Sequence, residues 1–381
     1  MNVAYVHTAH WPSNSPGASF TTQNAAALAG AFDECWFFVK SDSEAPPASV
    51  FEHVFAATKP GNLHVRSLTP RFSFSNRFFY RQVVKEVRDL HREKPLDAVI
   101  CRNVTFLPYL VRLRHDLGIP VLFESHDFYA DLSVRDDIER SRWLRQQRLE
   151  RRYLPRVSAL ICLQEGQKRL YRDVFPDLEI VVARTGIESF HGRPGPGSSV
   201  TYVGSLDSHK GVEFLIRAVQ ASTTKPPLLI IGGKHADRKE RVERVARESA
   251  PDVSVTVLGW LDRAALRERL NDTAVGVVPL RDTFFNRHLT SPLKLFDYYG
   301  HGIPVVAADL PALRELVDDG VTGLLYTPES ESALAESLDT LWSDEALRAR
   351  MSESISRECR SLLWSERAGQ LADVVRTLRG I

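Results

Sequence analysis

Short apolar runs alternate with amphipathic segments along the whole chain. The runs are rich in β-branched residues and are continuous rather than alternating, which is typical of parallel strands covered on both faces. The segments between them, such as 211–220 and 263–270, carry apolar residues at helical spacing. The pattern predicts two sets of strands, at Val3–Val6, Cys35–Val39, Ala98–Cys101, Pro120–Phe123, Ala159–Leu163 and Ile180–Ala183, and then at Val200–Val203, Leu228–Ile231, Val253–Leu258, Ala274–Val278, Pro304–Ala307 and Gly323–Leu325.

A segment rich in glycine and proline separates the two sets. Gly192–Gly197 breaks both helix and sheet, and it predicts an interdomain linker. At 381 residues the chain suits two domains of roughly 150–200 residues each. We therefore predict an α/β protein with two doubly wound sheets, one in residues 1–190 and one in residues 198–360. The last segment, 364–381, has the apolar spacing of a helix.

Composition and charge narrow the possible functions. Lys plus Arg is 49 and Asp plus Glu is 48, so the net charge of +1 gives no general attraction for nucleic acid, and we predict no such partner. The cysteines have no metal-ligand spacing and are interpreted as reduced thiols; they are Cys35, Cys101, Cys162 and Cys359. No signal peptide is apparent, and no apolar stretch approaches the roughly 20 residues that span a bilayer. The expectation is a cytoplasmic protein.

The first informative motif runs from Tyr202 to Gly211. A strand ends at Gly204, a short loop follows, and Lys210 and Gly211 open a helix. This places an ammonium and the amides of a helix N-terminus at the carboxyl edge of a parallel sheet, where open α/β folds bind anions. The alternative is a plain strand–turn–helix with a surface lysine. The sequence GxxxxGK[ST] is absent here, which argues against a P-loop NTPase.

The second informative motif spans residues 288–306. Ser291 is predicted as the N-cap of a short helix, Pro292 as its first residue, and Gly300 or Gly302 as its end.

This helix would direct its amide-rich start, with Thr290, Ser291 and Lys294, into the same kind of crevice. Asp297 lies about one turn beyond Lys294 on the same side of the helix. Its carboxylate is suited to accept both hydroxyl protons of a ribose. The alternative for Asp297 is a solvated helix acid.

Taken in order, the motifs of the second half resemble the donor domain of the retaining GT-B glycosyltransferases of family 4. They are VGSLDSHKG (203–211), IIGG (230–233), VLGWL (257–261), SPLKLFDYYGHGIPVVA (291–307) and DDGVTGLLY (318–326). The resemblance is strong from Tyr202 to Tyr326 and weaker over the first half. It implies a GT-B fold, in which two Rossmann-like domains face a central cleft and the last helix, 364–381, packs back on the N-terminal domain.

The resemblance also implies residue roles. Lys210 matches the lysine that neutralises the donor diphosphate, Asp297 matches the second acid of the Glu-x7-Glu motif, which holds the ribose, and His126 matches a histidine beside the donor sugar. We predict His126, Lys210 and Lys294 as catalytic. Gly17 corresponds to a glycine loop near the diphosphate, and Gly259 and Trp260 to a loop that contacts the nucleobase. The further predicted donor-binding positions are Gly204, Ser205, Gly233, Thr290, Ser291 and Leu293.

Two positions depart from the family pattern. Ser205 stands where an arginine often follows the glycine, and Leu289 stands in place of the first acid of Glu-x7-Glu. Lys294 is our choice for the replacement cation, with Arg184 and Arg287 as alternatives. Both departures leave open a non-catalytic or regulatory nucleotide-sugar-binding member of the same fold.

The predicted reaction is retaining transfer of a sugar from a nucleotide-diphosphate donor. Preorganised charge at a leaving diphosphate is commonly the largest catalytic contribution. The chain has no Asp-x-Asp motif, so we predict no metal and no cofactor. A nicotinamide-dependent oxidoreductase is the more remote alternative, because GxGxxG is absent after either first strand.

The sequence leaves the acceptor open among a cell-surface glycan, a lipid-linked intermediate and a small metabolite. The basic aromatic stretch Arg71–Arg81 suits an anionic or lipid-linked acceptor, and so a peripheral contact at the inner face of the membrane. Alternatively, its phenylalanines pack inward.

Overall fold

The computed structural model describes residues 1–69, 76–192, 195–207 and 210–381. They form two compact units, one of Met1–Gly186 with Trp364–Ile381 and one of Ile187–Leu363. The boundary lies a few residues before the predicted linker, of which residues 193–194 fall outside the described residues.

The first unit holds a seven-stranded parallel sheet. Its strands are β1 (Asn2–His10), β2 (Glu34–Lys40), β3 (Leu63–Leu68), β4 (Ala98–Cys101), β5 (Val121–Glu124), β6 (Ala159–Cys162) and β7 (Ile180–Val182). Its helices are α1 (Pro16–Ala31), α2 (Pro47–Phe55), α3 (Asn76–Glu93), α4 (Leu107–Leu117), α5 (Leu144–Tyr153), α6 (Glu165–Val174) and, from the end of the chain, α15 (Trp364–Arg379). The strand order is β3-β2-β1-β4-β5-β6-β7.

The second unit holds a six-stranded parallel sheet. Its strands are β8 (Ser199–Val203), β9 (Leu228–Ile231), β10 (Val255–Leu258), β11 (Thr273–Val278), β12 (Val305–Ala308) and β13 (Gly323–Tyr326). Its helices are α7 (Val212–Ala221), α8 (Ala236–Ser249), α9 (Arg263–Leu270), α10 (Phe284–His288), α11 (Leu293–Gly300), α12 (Pro311–Arg314), α13 (Glu331–Ser343) and α14 (Glu345–Glu358). The strand order is β10-β9-β8-β11-β12-β13.

The prediction of two doubly wound parallel sheets is confirmed, and every predicted strand is present. The bounds agree within two residues except at the end of β1, which runs to His10 rather than Val6. Strand β3 was not predicted. It is the edge strand of the first sheet, and Arg66 and Ser67 on it are exposed, so it lacks the continuous apolar run that marks a central strand.

The last helix belongs to the core of the first unit. Leu371, Ala372 and Val375 of α15 are buried in the same apolar cluster as Ala25 and Leu28 of α1. Among the helices of the described residues, none is both long enough and apolar enough to span a bilayer.

Each sheet has one point where the winding reverses. In the first sheet it lies between β1 and β4, and in the second it lies between β8 and β11. The loops that leave neighbouring strands in opposite directions open a crevice at the carboxyl edge, where doubly wound proteins bind ligands. The loop after β8 contains three of the predicted donor-site residues, Gly204, Ser205 and Lys210.

Candidate functional site

Glycines pack the loops tightly at the carboxyl edge of the second sheet. A Cβ atom on Gly232 would lie 1.8 Å from the carbonyl oxygen of Gly204, and one on Gly211 would lie 2.0 Å from the carbonyl oxygen of Pro279. Gly211, with φ of 77°, also precedes helix α7 in the left-handed conformation that glycine adopts most easily. The loops after β8, β9 and β11 therefore meet around the start of α7.

Two lysines converge on this place. Lys294, in the first turn of α11, holds its Nζ 3.7 Å from the centroid of the Tyr202 ring. A Cβ atom on Gly204 would lie 3.2 Å from the same Nζ, so the ammonium lies against the end of β8. Lys210, half-buried, precedes α7.

The electrostatics of the two lysines are coupled. Burial lowers the pKa of Lys210, although the charge of Asp207 opposes this shift. Burial also lowers the pKa of Lys294 well below its ordinary value, and the charge of Lys210 lowers it further. Among the ion pairs of the described residues, none involves either lysine, and the Asp207 carboxylate pairs with Arg238. Two neighbouring, partly desolvated cations without a carboxylate partner are suited to bind a dianion.

Ser205 and Gly233 shape the loop around the lysines. The Tyr202 hydroxyl donates a hydrogen bond of 2.8 Å to the Ser205 carbonyl, and the Ser205 hydroxyl donates to the Asp207 carboxylate. Gly233 has φ of 83°, and a Cβ atom there would lie 2.6 Å from the Leu206 side chain. The serine at the position of the family arginine is thus bonded within its own loop.

The predicted start of the short helix is wrong. Helix α11 begins at Leu293, and its N-cap is Pro292, with no side-chain cap hydrogen bond. Pro292 itself is extended, with φ of −74° and ψ of 113°, so the helix starts one residue later than predicted. Thr290 is buried and Ser291 is half-buried in the segment that leads into the helix.

Asp297 is not a solvated helix acid. Its Oδ1 accepts a hydrogen bond of 2.7 Å from Nη1 of Arg263, and its side chain is only 13% exposed. Arg263 also lies 3.5 Å from a carboxylate oxygen of Glu188, to which Arg267 donates at 2.6 Å. The charge of Asp297 raises the pKa of Arg263. Sequence reasoning missed Arg263 and Glu188, because no local pattern links them to Asp297.

The structure also shows the environment of Leu289 and of the alternative cations. Leu289 follows α10 as its C-cap residue and is 1% exposed, so this position presents a buried apolar side chain in place of the acid. Of the alternative cations, Arg287 lies 3.3 Å from the carboxylate of Asp282, and Arg184 belongs to the first unit. Lys294 is the one of the three that lies against Gly204.

The predicted nucleobase loop follows β10. Trp260 is 42% exposed, and Nζ of Lys234 lies 5.7 Å from the centroid of its ring. Nothing lies within 4 Å of a Cβ atom placed on Gly259. Because β10, β9 and β8 are adjacent in the sheet, the residues that follow them lie along one edge.

His126 and Gly17 belong to the first unit. Nε2 of His126 bonds to the Glu124 carboxylate, and the ring makes an edge contact with Phe20 at 4.6 Å between centroids. Burial and the charge of Arg102 lower the pKa of His126 to about 4, so it is neutral at pH 7. Gly17, in the first turn of α1, accepts a long hydrogen bond of 3.4 Å from Arg102.

The basic aromatic stretch, Arg71–Arg81, is described only in part. Residues 71–75 lie outside the described residues, and Phe79 is buried in α3. Over the described part of the chain, no three His, Cys, Asp or Glu side chains are grouped to hold a metal ion.

Family models and curated relatives match both halves of the chain. The model described as "Glycosyl transferases group 1" matches residues 197–344, and the model described as "Glycosyl transferase 4-like domain" matches residues 17–186. The chain is 26% identical over 194 residues to a D-inositol 3-phosphate glycosyltransferase of Xylanimonas cellulosilytica, covering 50% of this chain and 45% of the relative. It is 23% identical over 278 residues to an alpha-D-kanosaminyltransferase of Streptomyces kanamyceticus, covering 65% and 67%. The match spans less than half the length of the first of these relatives.

Solved structures share the fold over the full length. A sucrose-phosphate synthase from Thermosynechococcus elongatus has a TM-score of 0.76 at 18% identity, covering 100% of this chain and 99% of the other. Anabaena HepE in complex with UDP and glucose has a TM-score of 0.73 at 15% identity, with the same coverage. The predicted GT-B fold is confirmed. The chain thus has the GT-B fold, and each of its halves matches a glycosyltransferase family model.

Proposed function

We propose that this chain is a retaining, metal-independent glycosyltransferase whose nucleotide-diphosphate sugar binds with its diphosphate at Lys210 and Lys294. The observation that carries the proposal is the convergence of two ammonium groups, both with lowered pKa, at the end of β8. A bound diphosphate would neutralise both charges and offset the cost of holding them together.

The same groups would stabilise the diphosphate as it leaves the sugar. Negative charge builds up on the diphosphate as the bond to the sugar breaks, and preorganised cations and helix N-terminal amides stabilise it. The starts of α7 and α11 both lie at this edge of the sheet. Retention follows from the family resemblance, which implies attack on the same face that the diphosphate leaves. No acid–base residue and no metal is assigned to this step.

The order of the strands suggests how the donor lies. Strands β8 and β10 are two positions apart, or about 10 Å at ordinary strand spacing. A nucleoside whose phosphates occupy the lysines would place its base near the exposed ring of Trp260 and its ribose near Asp297. The complexes of Anabaena HepE with UDP and with UDP-glucose make UDP the first candidate.

The acceptor is a glycan, a lipid-linked intermediate or a small molecule. We place the reaction in the cytoplasm, with peripheral attachment to the inner face of the membrane if the acceptor is lipid-linked. Nucleic acid has no part in it.

A ligand screen tests the donor class. UDP, GDP and ADP are titrated calorimetrically into the purified chain, with NAD as the probe for the oxidoreductase alternative. A nucleotide at 100 times its dissociation constant should stabilise the fold by about 2.7 kcal/mol, which a thermal shift detects. The expected result is tight binding of one nucleoside diphosphate that Lys210→Met weakens. Binding of NAD alone would contradict the proposal, and nucleotide-sugar binding without turnover would favour the non-catalytic alternative.

A further inference from the structure

Arg367 is almost completely buried in the first unit, although it comes from the last helix of the chain. Its Nη2 donates a hydrogen bond of 2.8 Å to Oε2 of Glu124, and its Nε donates one of 2.9 Å to Oδ1 of Asn24. Its Nη1 donates to the carbonyl oxygens of Ala183 and, at 3.1 Å, Arg184. The guanidinium is therefore bonded on every nitrogen and cannot turn.

Two aromatic rings also lie close to the Arg367 guanidinium. Its central carbon lies 5.3 Å from the Phe20 ring centroid and 5.7 Å from that of Trp364. The Trp364 ring is held in turn, since its Nε1 donates 3.1 Å to Gln23 and a Cβ atom on Gly186 would lie 2.5 Å from the ring. Helix α15 thus places one cation at a defined point beneath the end of β5.

Glu124 is shared between Arg367 and His126. One carboxylate oxygen accepts from Arg367, and the other faces Nε2 of His126. Burial alone would raise the pKa of Glu124, but the charge of Arg367 and the hydrogen bond from His126 hold it below its ordinary value. An ionised carboxylate only accepts hydrogen bonds, so the histidine nitrogen that faces it must carry the proton.

This arrangement determines which nitrogen of His126 is free. The imidazole is neutral at pH 7 and has a single proton, which the contact with Glu124 holds on Nε2. Nδ1 then keeps a lone pair and acts as an acceptor.

We propose that Arg367 and Glu124 are positioning residues that fix His126 in its Nε2–H tautomer, so that Nδ1 accepts a hydrogen bond from a hydroxyl of the sugar substrate. The fixed tautomer follows from the contacts of Glu124 with Arg367 and His126 together with the charge states of these groups, and the bond to a hydroxyl rests on the proposed function. Helix α15 therefore influences the reaction through Arg367 and, by way of it, Glu124, in addition to packing on the core of the first unit.

Glu124→Gln gives a distinctive consequence. Arg367 presents only N–H donors, so the new amide must turn its oxygen towards Arg367 and its NH₂ group towards His126. His126 must then accept at Nε2, and its proton moves to Nδ1. In Glu124→Gln/Arg367→Met, the carbonyls of Ala183 and Arg184 lose their donor and attract the amide NH₂. The amide oxygen then faces His126, and the Nε2–H tautomer returns.

The experiment reads the tautomer by NMR of the imidazole nitrogens in the full ¹⁵N-labelled chain at pH 7. Arg376→Met, an exposed arginine on the same helix, is the matched control. We expect Nε2–H in the wild type, the control and the double variant, and Nδ1–H in Glu124→Gln. If Glu124→Gln does not fold, Arg367→Lys should keep Nε2–H, since it leaves Glu124 ionised, and the double variant avoids an unpaired buried charge.

Turnover is measured with whichever of UDP-glucose, GDP-mannose and ADP-glucose binds most tightly. We expect kcat to fall at least tenfold in Glu124→Gln with the donor KM nearly unchanged, and to recover partly in the double variant. The Nε2–H tautomer in Glu124→Gln, or Nδ1–H in the double variant, would overturn the positioning role. A switched tautomer with full turnover would overturn the bond to substrate. The NMR result does not depend on a donor, so it still decides the positioning role if the proposed function fails.

Discussion

Lys294→Met removes one ammonium from the proposed diphosphate site with little change in side-chain volume. The variant also removes the contact between the ammonium and the Tyr202 ring, which is 3.7 Å away. The thioether chain of methionine can cover the same ring, so the change is chiefly one of charge.

The structure sets opposite expectations for the bound and the free protein. A hydrogen bond to a charged group contributes about 1.5–3 kcal/mol, so losing the contact with the diphosphate should weaken nucleotide binding by about 10- to 150-fold. In the free protein, the lost cation–π contact, about 0.5–2 kcal/mol, is offset by relief of repulsion with Lys210 and of the cost of burying the charge. The free energy of unfolding should therefore change by less than about 1 kcal/mol.

Calorimetric titration with UDP, GDP or ADP measures the first effect, and urea denaturation of the ligand-free protein measures the second. Lys239→Met, on the surface of α8, is the matched control and should change neither quantity. Adding Ser205→Arg to Lys294→Met should restore part of the binding, because it supplies a cation at the neighbouring position.

Two results would contradict this role of Lys294. Wild-type affinity in Lys294→Met would remove Lys294 from the diphosphate site. A loss of stability of several kcal/mol in the ligand-free variant would show that the lysine is a structural element of the loop.

Three further predictions concern protons, ribose and metal. Both lysines, Lys210 and Lys294, have a lowered pKa in the free protein, and a bound diphosphate would raise these pKa values. Binding should therefore take up protons, and the affinity should fall as the pH rises above the free-protein pKa of Lys294. Calorimetry in buffers of different ionisation enthalpy measures the proton uptake, and equal uptake in Lys294→Met would contradict this prediction. Asp297→Asn should raise the donor KM and reduce the preference for ribose over 2′,3′-dideoxy nucleotides. Because Arg263 keeps its contact with Glu188, the free energy of unfolding should fall by less than the roughly 3–5 kcal/mol typical of a broken buried pair. Competition and denaturation assays measure the two effects, and an unchanged preference would place the ribose elsewhere. Saturating EDTA should leave turnover intact, whereas a complete loss restored by Mg²⁺ or Mn²⁺ would mean that the reaction needs a metal.

The two sheets could be predicted from the sequence because their central strands are buried on both faces and therefore consist of continuous runs of apolar residues. Strand β3 escaped prediction for the opposite reason, since an edge strand with exposed Arg66 and Ser67 has no such run. The start of α11 was misplaced by one residue, because Pro292 is extended rather than helical and the local sequence does not show this.

In the candidate site, too, some residues could be predicted from the sequence and some contacts could not. Lys210 and Lys294 follow strand ends or helix starts, so the topology alone brought them to one crevice. The bond between Glu124 and Arg367 joins side chains 243 residues apart, and no local pattern marks it. The Arg263–Asp297 pair was hidden as well, since each residue alone resembles an ordinary helix charge.

The most direct test of the central claim is a ¹H NMR time course of the purified chain with the nucleotide sugar that the ligand screen selects. We expect the sugar to be released or transferred with the anomeric configuration of the donor, and Lys210→Met/Lys294→Met to abolish the signal. Appearance of the inverted anomer first would contradict retention. Undiminished turnover in the double lysine variant would contradict the assignment of the diphosphate to this crevice.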